Sequence, residues 1–260
     1  MYTHHKTDVS NMGISPADVS GPARGTALSL EQFWRMRNVG SHLTLDRLTV
    51  HNVSIFAAYA AYRAGMTPNH VSLMSGLFSV CVIAATALAP TDDAVFSILV
   101  IWGLAQFAYL LDCADGQLAR ITNNTSELGA FLDKSMDISG AMLQFGAFSI
   151  FAYRYYAELG DATMAHLFLY AGLIFIFFKV SRFAVWQFFV HMLPEAYESS
   201  KARSSLASEI LKNLADHQVS LANMLVFLIS PTACLAIFMI QTILIASAWA
   251  RYFRRAAKST

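Results

Sequence analysis

Four aspartates stand at helical spacing on either side of one short turn. Asp112 and Asp115 are three residues apart, and Asp133 and Asp137 are four apart, so each pair shares one face of a helix. The turn between them, "ITNNTSE" (121–127), lies almost equally far from the two pairs. An antiparallel helical hairpin therefore brings all four carboxylates to one level, roughly 13–20 Å from its tip at about 1.5 Å per residue.

Carboxylates at this depth in apolar helices need compensation, because a charge near a bilayer centre costs at least about 3 kcal/mol. They can protonate, pair with basic side chains or hold divalent cations. Arg120 alone supplies too little positive charge to pair with four carboxylates. Oxygen ligands suit Mg²⁺, Mn²⁺ or Ca²⁺, and Mg²⁺ held by few carboxylates usually binds substrate phosphates as well. The group of aspartates thus favours phosphoryl chemistry with two metal ions.

The elements that hold these residues are predicted to be membrane helices. The chain is 56% hydrophobic and 13% charged, whereas soluble domains average about 25% charged residues. Apolar segments long enough to cross a bilayer recur along the chain. The sequence therefore predicts an all-α, polytopic membrane protein with six transmembrane helices, at 71–89, 95–111 with its continuation through the aspartates, 129–153, 166–190, a segment that ends at 220–229, and 233–250.

Three regions follow from this pattern. Residues 1–25 are polar and are predicted to be a disordered tail. Residues 26–64 mix apolar and charged side chains at helical spacing, which predicts an N-terminal amphipathic helix region in the membrane interface. Within that region, 48–62 fits either an interfacial helix or a short span, and we favour the interfacial helix. Residues 65–255 form the predicted six-helix transmembrane catalytic domain.

Basic residues set the predicted orientation. When the N-terminus is placed in the cytoplasm, the basic residues near the span ends fall on the cytoplasmic side, as the positive-inside rule requires. The outer loops then carry acidic residues, with Arg154 at their edge. A multi-pass protein with both termini and the aspartates facing the cytoplasm is expected. The cytoplasmic set is Arg35, Arg37, Arg47, Arg120, Lys201, Arg203 and the tail "RYFRR".

The segment "DCADGQLARITNNTSELGAFLDKSMD" (112–137) resembles the signature of the CDP-alcohol phosphotransferases, D-x2-D-G-x2-A-R-x8-G-x3-D-x3-D, at every fixed position. "TPNHVS" (67–72) is similar to the family's TPN-x-x-T, with Ser72 in place of Thr. The resemblance implies a membrane transferase of phospholipid biosynthesis. Such an enzyme moves a substituted phosphate from a CDP-alcohol to an acceptor alcohol and releases CMP.

The resemblance also implies roles for single residues. Asp112, Asp115 and Asp133 match the ligands of two Mg²⁺ ions, for which Mn²⁺ can substitute. Asp137 matches the general base, which also contacts one metal. A homodimer is implied too. The positions that match the family's nucleotide-binding residues are Asn69, Ser72, Gly116, Ala119, Arg120, Ser126 and Gly129.

The sequence constrains the identities of the donor and acceptor substrates less than it constrains the reaction class. The compact six-span layout resembles phosphatidyltransferases, so CDP-diacylglycerol is the expected donor and a small polar alcohol the acceptor. Lys179 and Arg182 share one face of the fourth span, and Lys201 and Arg203 follow in the next loop. These four residues either follow the positive-inside rule or form a pocket for an anionic acceptor such as glycerol phosphate or inositol phosphate. Membrane lipid is an expected partner, and nucleic acid is not.

Two other classes of protein place aspartates in a membrane. A cation or proton transporter uses intramembrane carboxylates as a relay, but this does not account for the interleaved Gly116, Ala119, Arg120 and Gly129. An aspartate-rich membrane prenyltransferase also holds a diphosphate through Mg²⁺, but its acidic clusters have a different spacing. Release of CMP distinguishes the favoured hypothesis from both.

Overall fold

The computed structural model describes residues 28–37, 49–192 and 217–259, which form helices and no strand. The predicted tail, 1–25, lies outside the described residues. The predicted interfacial region is described as two helices, α1 and α2. In chain order the helices are α1 Leu30–Met36, α2 Val50–Arg63, α3 Pro68–Leu88, α4 Ala94–Ile121, α5 Glu127–Glu158, α6 Ala162–Met192, α7 His217–Ile229 and α8 Pro231–Ser259.

Four helices are long and apolar enough to cross a membrane. They are α3, α4, the part of α6 at Ala162–Val185 and the part of α8 at Pro231–Arg251. The all-α membrane class is therefore confirmed, with four candidate spans among the described residues. The third and fifth predicted spans, at 129–153 and ending at 220–229, stay predictions, because α5 is long but carries carboxylates, Gln144 and Arg154, and α7 has only 13 described residues.

Local sequence fixes the ends of the helices that carry the aspartates. The hydroxyl of Ser126 accepts a hydrogen bond from the Gly129 amide at 3.0 Å and so caps the start of α5. Asn123 adopts a left-handed conformation, φ 51°, in the turn after α4, a conformation that asparagine tolerates well. The turn between α4 and α5 thus lies where the sequence predicts it, and the two helices run antiparallel.

α3 begins in a capping box. The Thr67 side chain accepts a hydrogen bond from the His70 amide at 3.4 Å, and the His70 ring accepts one from the Thr67 amide at 3.3 Å. Pro68 occupies the first helical position, where its missing N–H carries no cost. The "TPNH" segment thereby fixes where Asn69 and Ser72 stand relative to α4.

The helices pack around two apolar cores, and α3 and α4 contribute to both. The larger core joins α5 to α6, α7 and α8 through a cluster of aromatic rings that includes Phe145 and Phe148, and it also takes in the first half of α4. The smaller core joins α1, α2 and α3 to the second half of α4. Asp112 and Asp115 lie on this second half of α4, and Asp133 and Asp137 lie on α5 just before its residues of the larger core begin. The carboxylates therefore lie at the seam between the cores.

The N-terminal helices are tied to α4 close to the aspartates. The ring of Phe33 in α1 is buried against Tyr59 and Tyr62 of α2. From α4, the Gln117 amide donates to the His51 carbonyl at 2.8 Å and to the Ser54 hydroxyl at 2.6 Å. Because Gln117 follows Gly116 directly, α2 packs against and supports the part of α4 that contains the signature residues.

At the opposite end of the bundle, α5 is locked onto the end of α3. The Arg154 guanidinium donates to the carbonyls of Thr86 at 2.6 Å and of Ala87 and Ala89 at 3.3 Å. These carbonyls lie in the last turn of α3 and at its cap, Ala89. Carbonyls at the end of a helix have no hydrogen-bond partner within the helix. The Thr91 hydroxyl also donates to the Glu158 carboxylate. The Arg154 guanidinium thus caps α3 and fixes its position against α5.

Candidate active site

The structure brings the four signature aspartates together. Asp112, Asp115 and Asp133 each offer a carboxylate oxygen, and these three atoms lie within 4.8 Å of one another. Asp137 lies beside them, because one ammonium, that of Lys134, is 2.8 Å from Asp133 Oδ2 and 3.0 Å from Asp137 Oδ2. Asp115 is 2% exposed, and the other three are half-buried. The hairpin geometry inferred from the spacing therefore produces a compact group of carboxylates.

Ser72 of α3 supports the buried member of this group. Its hydroxyl donates a hydrogen bond to the Asp115 carboxylate, and its oxygen lies 3.2 Å from the Pro68 carbonyl. Ser72 is itself 3% exposed. A buried hydrogen bond to a charged group is stronger than one between neutral groups. Ser72 therefore orients one oxygen of Asp115, whereas the other, Oδ1, is buried with no hydrogen-bond partner among the described residues.

The residues fit divalent cations. Asp112 Oδ1 and Asp115 Oδ1 are buried and accept no hydrogen bond from the described residues. Buried carboxylate oxygens without a partner are costly, and cation coordination is one of the few ways to satisfy them. Converging carboxylate oxygens of this kind are the ligands that Mg²⁺ and Mn²⁺ prefer. The set of ligands thus suits the metals that the sequence predicts, and Asp112, Asp115, Asp133 and Asp137 are the residues that would hold them.

Lys134 is a member of the site that the sequence reasoning missed. Its ammonium lies 2.8 Å from Asp133 Oδ2 and 3.0 Å from Asp137 Oδ2. Lys134 therefore balances part of the aspartate charge, in addition to the Arg120 expected from the sequence. Arg120 instead turns back along α4, with one guanidinium nitrogen 3.2 Å from where a Cβ at Gly116 would stand. Helical spacing does place Lys134 three residues before Asp137, and this was the signal that could have revealed it.

Several of the predicted nucleotide residues share one small space. A Cβ at Gly129 would stand 3.0 Å from Asn69 Oδ1 and 3.1 Å from Ser126 Oγ, which is tighter than ordinary contacts. Glycine thus leaves room for both polar side chains at the start of α5. Ala119 is half-buried on α4, between Gly116 and Arg120. Their role in nucleotide binding stays a prediction.

The predicted acceptor residues are partly placed. The Lys179 ammonium lies over the rings of Phe145, at 4.8 Å, and Phe175, at 5.4 Å. Phe145 is two turns along α5 from Asp137, about 12 Å at 1.5 Å per residue, so Lys179 lies deeper in the bundle than the carboxylates. Arg182 is half-buried. Lys201 and Arg203 lie outside the described residues.

A buried polar network, also missed from the sequence, occupies that deeper level. The His217 ring in α7 is 3.0 Å from Gln144 Oε1, and the Gln144 amide donates to the Ser79 hydroxyl at 3.3 Å. His217 packs against the rings of Tyr109 and Phe145. This network links α3, α5 and α7. Its residues are far apart in sequence, so no local spacing could have revealed it.

Comparison with protein families decides the identity of this arrangement. The family described as CDP-alcohol phosphatidyltransferase matches residues 65–253, well over half of the chain and all four aspartates. The chain belongs to this family. The resemblance seen in the 112–137 signature is thereby confirmed. Among individual curated proteins, none matches the chain significantly. For a CDP-alcohol phosphatidyltransferase, the reaction is transfer of a phosphatidyl group from a CDP-alcohol, and the carboxylate group lies within the matched region.

Proposed function

We propose that this CDP-alcohol phosphatidyltransferase moves a phosphatidyl group from CDP-diacylglycerol to a small polar alcohol and releases CMP, as a step of phospholipid biosynthesis. The observation that carries the proposal is the convergence of Asp112, Asp115 and Asp133, with Asp137 beside them, at the seam of the helical bundle. Family membership supplies the reaction class, and the carboxylates supply a site for a diphosphate with its cations.

The carboxylates would bind two Mg²⁺ ions, or Mn²⁺ in their place. Bound there, the ions would offset the negative charge of the donor diphosphate and of the departing CMP. Asp112, Asp115 and Asp133 would act as ligands, and Ser72 would hold Asp115 in place. Gly116, Ala119, Arg120, Ser126 and Gly129, with Asn69 and Ser72 of α3, would receive the nucleotide.

Asp137 would act as the general base. It accepts the proton of the acceptor hydroxyl as that oxygen forms a bond to the β-phosphorus of the donor. The bond from the β-phosphorus to the bridging oxygen breaks, and CMP leaves with the electron pair. The half-exposed side chain of Asp137 suits a base that meets a water-soluble acceptor. Arg182, with Lys179, Lys201 and Arg203, would hold a phosphate on that acceptor if it carries one.

The placement in the membrane is also part of the proposal. The carboxylate end of the bundle and both termini would face the cytoplasm, where soluble acceptors and CMP exchange. The α1–α2 unit would lie in the interface, because Trp34 and Phe56 pack together and both stay exposed, as expected of rings at the lipid headgroups. Homodimer formation is proposed from family resemblance alone.

The proposal is tested with purified protein in lipid nanodiscs, Mg²⁺ and labelled CDP-diacylglycerol. A panel of acceptors that includes glycerol phosphate, inositol phosphate and serine is offered one at a time, and both CMP and the lipid product are measured. We expect CMP release that depends on one acceptor and is absent in Asp137→Asn. Absence of CMP release with every acceptor would overturn the choice of donor, and a second panel with other CDP-alcohols would then test the reaction class. Cation flux or prenyl transfer without CMP release would favour a transporter or a prenyltransferase.

A further inference from the structure

We propose that Lys134 is a built-in competitor of the second divalent cation, so that the two metal positions load unequally. The inference rests on the proposed function. Its starting point is one contact: the Lys134 ammonium bridges Asp133 Oδ2 at 2.8 Å and Asp137 Oδ2 at 3.0 Å. The bridged atoms are carboxylate oxygens that a cation held by Asp133 and Asp137 would need.

The four carboxylates divide into two unequal groups. Asp112, Asp115 and Asp133 already present oxygens within 4.8 Å of one another, and the Oδ1 atoms of Asp112 and Asp115 are buried without a hydrogen bond from the described residues. A first cation therefore finds three ligands and needs one oxygen from each of them, so it can share Asp133 with Lys134 and need not displace the ammonium from Asp137. A second cation requires Asp137, and there it meets the ammonium.

Displacement of Lys134 is sterically easy. Its side chain is 44% exposed, and a lysine stem is long and flexible enough to move its ammonium into water. The cost is electrostatic, because Asp137 loses its pairing with Lys134 and the entering cation meets a like charge. A neighbouring positive charge lowers the affinity of a carboxylate for a proton by about tenfold or more, and a metal cation meets the same repulsion. The second position is thus weak until further negative charge arrives.

The donor supplies that charge. A CDP-lipid carries a diphosphate, which can bind the second cation and also face the displaced ammonium. We therefore infer that the second ion enters with the diphosphate, while the first is held before the donor binds. Lys134 then keeps Asp137 paired until a substrate arrives.

Mn²⁺ binding measures this directly. Protein in nanodiscs is titrated with Mn²⁺ without donor, and bound ions are counted from the loss of the free-ion paramagnetic resonance signal. We expect one tight and one weak site in the wild type. Lys134→Met and Lys134→Gln, which remove the charge at a half-exposed position, should tighten the weak site by about tenfold and the tight site by less, because only one of its three ligands, Asp133, contacts Lys134. Lys134→Arg should keep the weak site weak.

A matched control separates this effect from general charge. Arg35→Gln removes one positive charge from an exposed pair with Glu31 in α1, far in sequence from the aspartates, and should change neither Mn²⁺ site. Two equally tight sites in the wild type would overturn the inference, as would an unchanged or weaker second site in both neutral Lys134 variants. If the inference on Lys134 fails but the wild type still releases CMP with Mn²⁺, the proposed function stands. If the wild type neither binds Mn²⁺ nor releases CMP, the inference and the proposed function are both overturned.

Discussion

Replacement of Ser72 by alanine tests whether α3 holds the metal-binding group in place. The Ser72 hydroxyl donates to the Asp115 carboxylate, and both side chains are almost fully buried, at 3% and 2% exposed. Without the hydroxyl, Asp115 loses the donor that orients it. Removal of a residue that orients a metal ligand typically costs about 10–100-fold in metal affinity or activity.

The magnitude agrees with the energy of the bond itself. A hydrogen bond to a charged group contributes about 1.5–3 kcal/mol, and every 1.4 kcal/mol corresponds to about a tenfold change in affinity. Burial leaves little solvent to screen the interaction, so we expect the full effect. Ser72→Ala should therefore raise the Mg²⁺ concentration for half-maximal CMP release by at least about tenfold.

Ser72→Thr supplies the matched control, because it keeps the hydroxyl and matches the residue that the family pattern carries at this position. CMP release is measured against Mg²⁺ concentration for the wild type and both variants, with thermal melting to show that each is folded. We expect the threonine variant to behave like the wild type. A folded Ser72→Ala protein whose Mg²⁺ midpoint stays within about threefold of the wild type would refute the reasoning.

Four further changes probe the rest of the molecule. Asp137→Asn should lower CMP release by about 10²–10⁴-fold with melting unchanged, the range typical of a general base; activity within about tenfold of the wild type would contradict that role. Mg²⁺ should raise the melting temperature and EDTA should lower it, since a ligand that binds only the folded state stabilises it; equal melting in both would argue against a metal site. Arg182→Ala should raise the KM for a phosphorylated acceptor by about ten- to a hundredfold while the KM for the CDP-lipid stays constant; an unchanged acceptor KM would indicate a neutral acceptor. Arg154→Ala should lower the free energy of unfolding by about 1–2 kcal/mol in a denaturant titration, with Arg154→Lys intermediate; full stability would mean that the α3 carbonyls are satisfied otherwise.

The hairpin was predictable because its geometry is local. Two helices joined by a short turn have their levels fixed by residue counts alone, so Asp112, Asp115, Asp133 and Asp137 had to meet once both helices formed. Helical spacing alone also puts Arg120 one turn after Gly116, and in the structure its guanidinium lies beside that glycine. Family membership followed from this spacing as well, because the signature lies entirely within the hairpin.

Features that depend on packing could not be predicted in this way. Lys134 was overlooked because its spacing permits a bridge but does not decide which rotamer the side chain adopts. The contact of His217 with Gln144 joins residues 73 apart in sequence, and no periodic pattern relates α5 to α7. Gln144 and the aspartates also lower the apolar character of α5, so a span count by hydropathy alone omits the helix that carries half of the carboxylates.

The contact between Arg154 and the end of α3 bears on how the chain enters the bilayer. A positive residue that flanks a span normally favours the cytoplasmic side during insertion, yet in the proposed orientation, with the carboxylates facing the cytoplasm, α5 would carry Arg154 across. The acceptor carbonyls belong to Thr86 and Ala87 in the last turn of α3 and to Ala89, which caps it, and α3 leaves the ribosome before α5. In that orientation the partners of the guanidinium would be synthesised before it. Translocation of Arg154 would then be coupled to the docking of α5 on the end of α3.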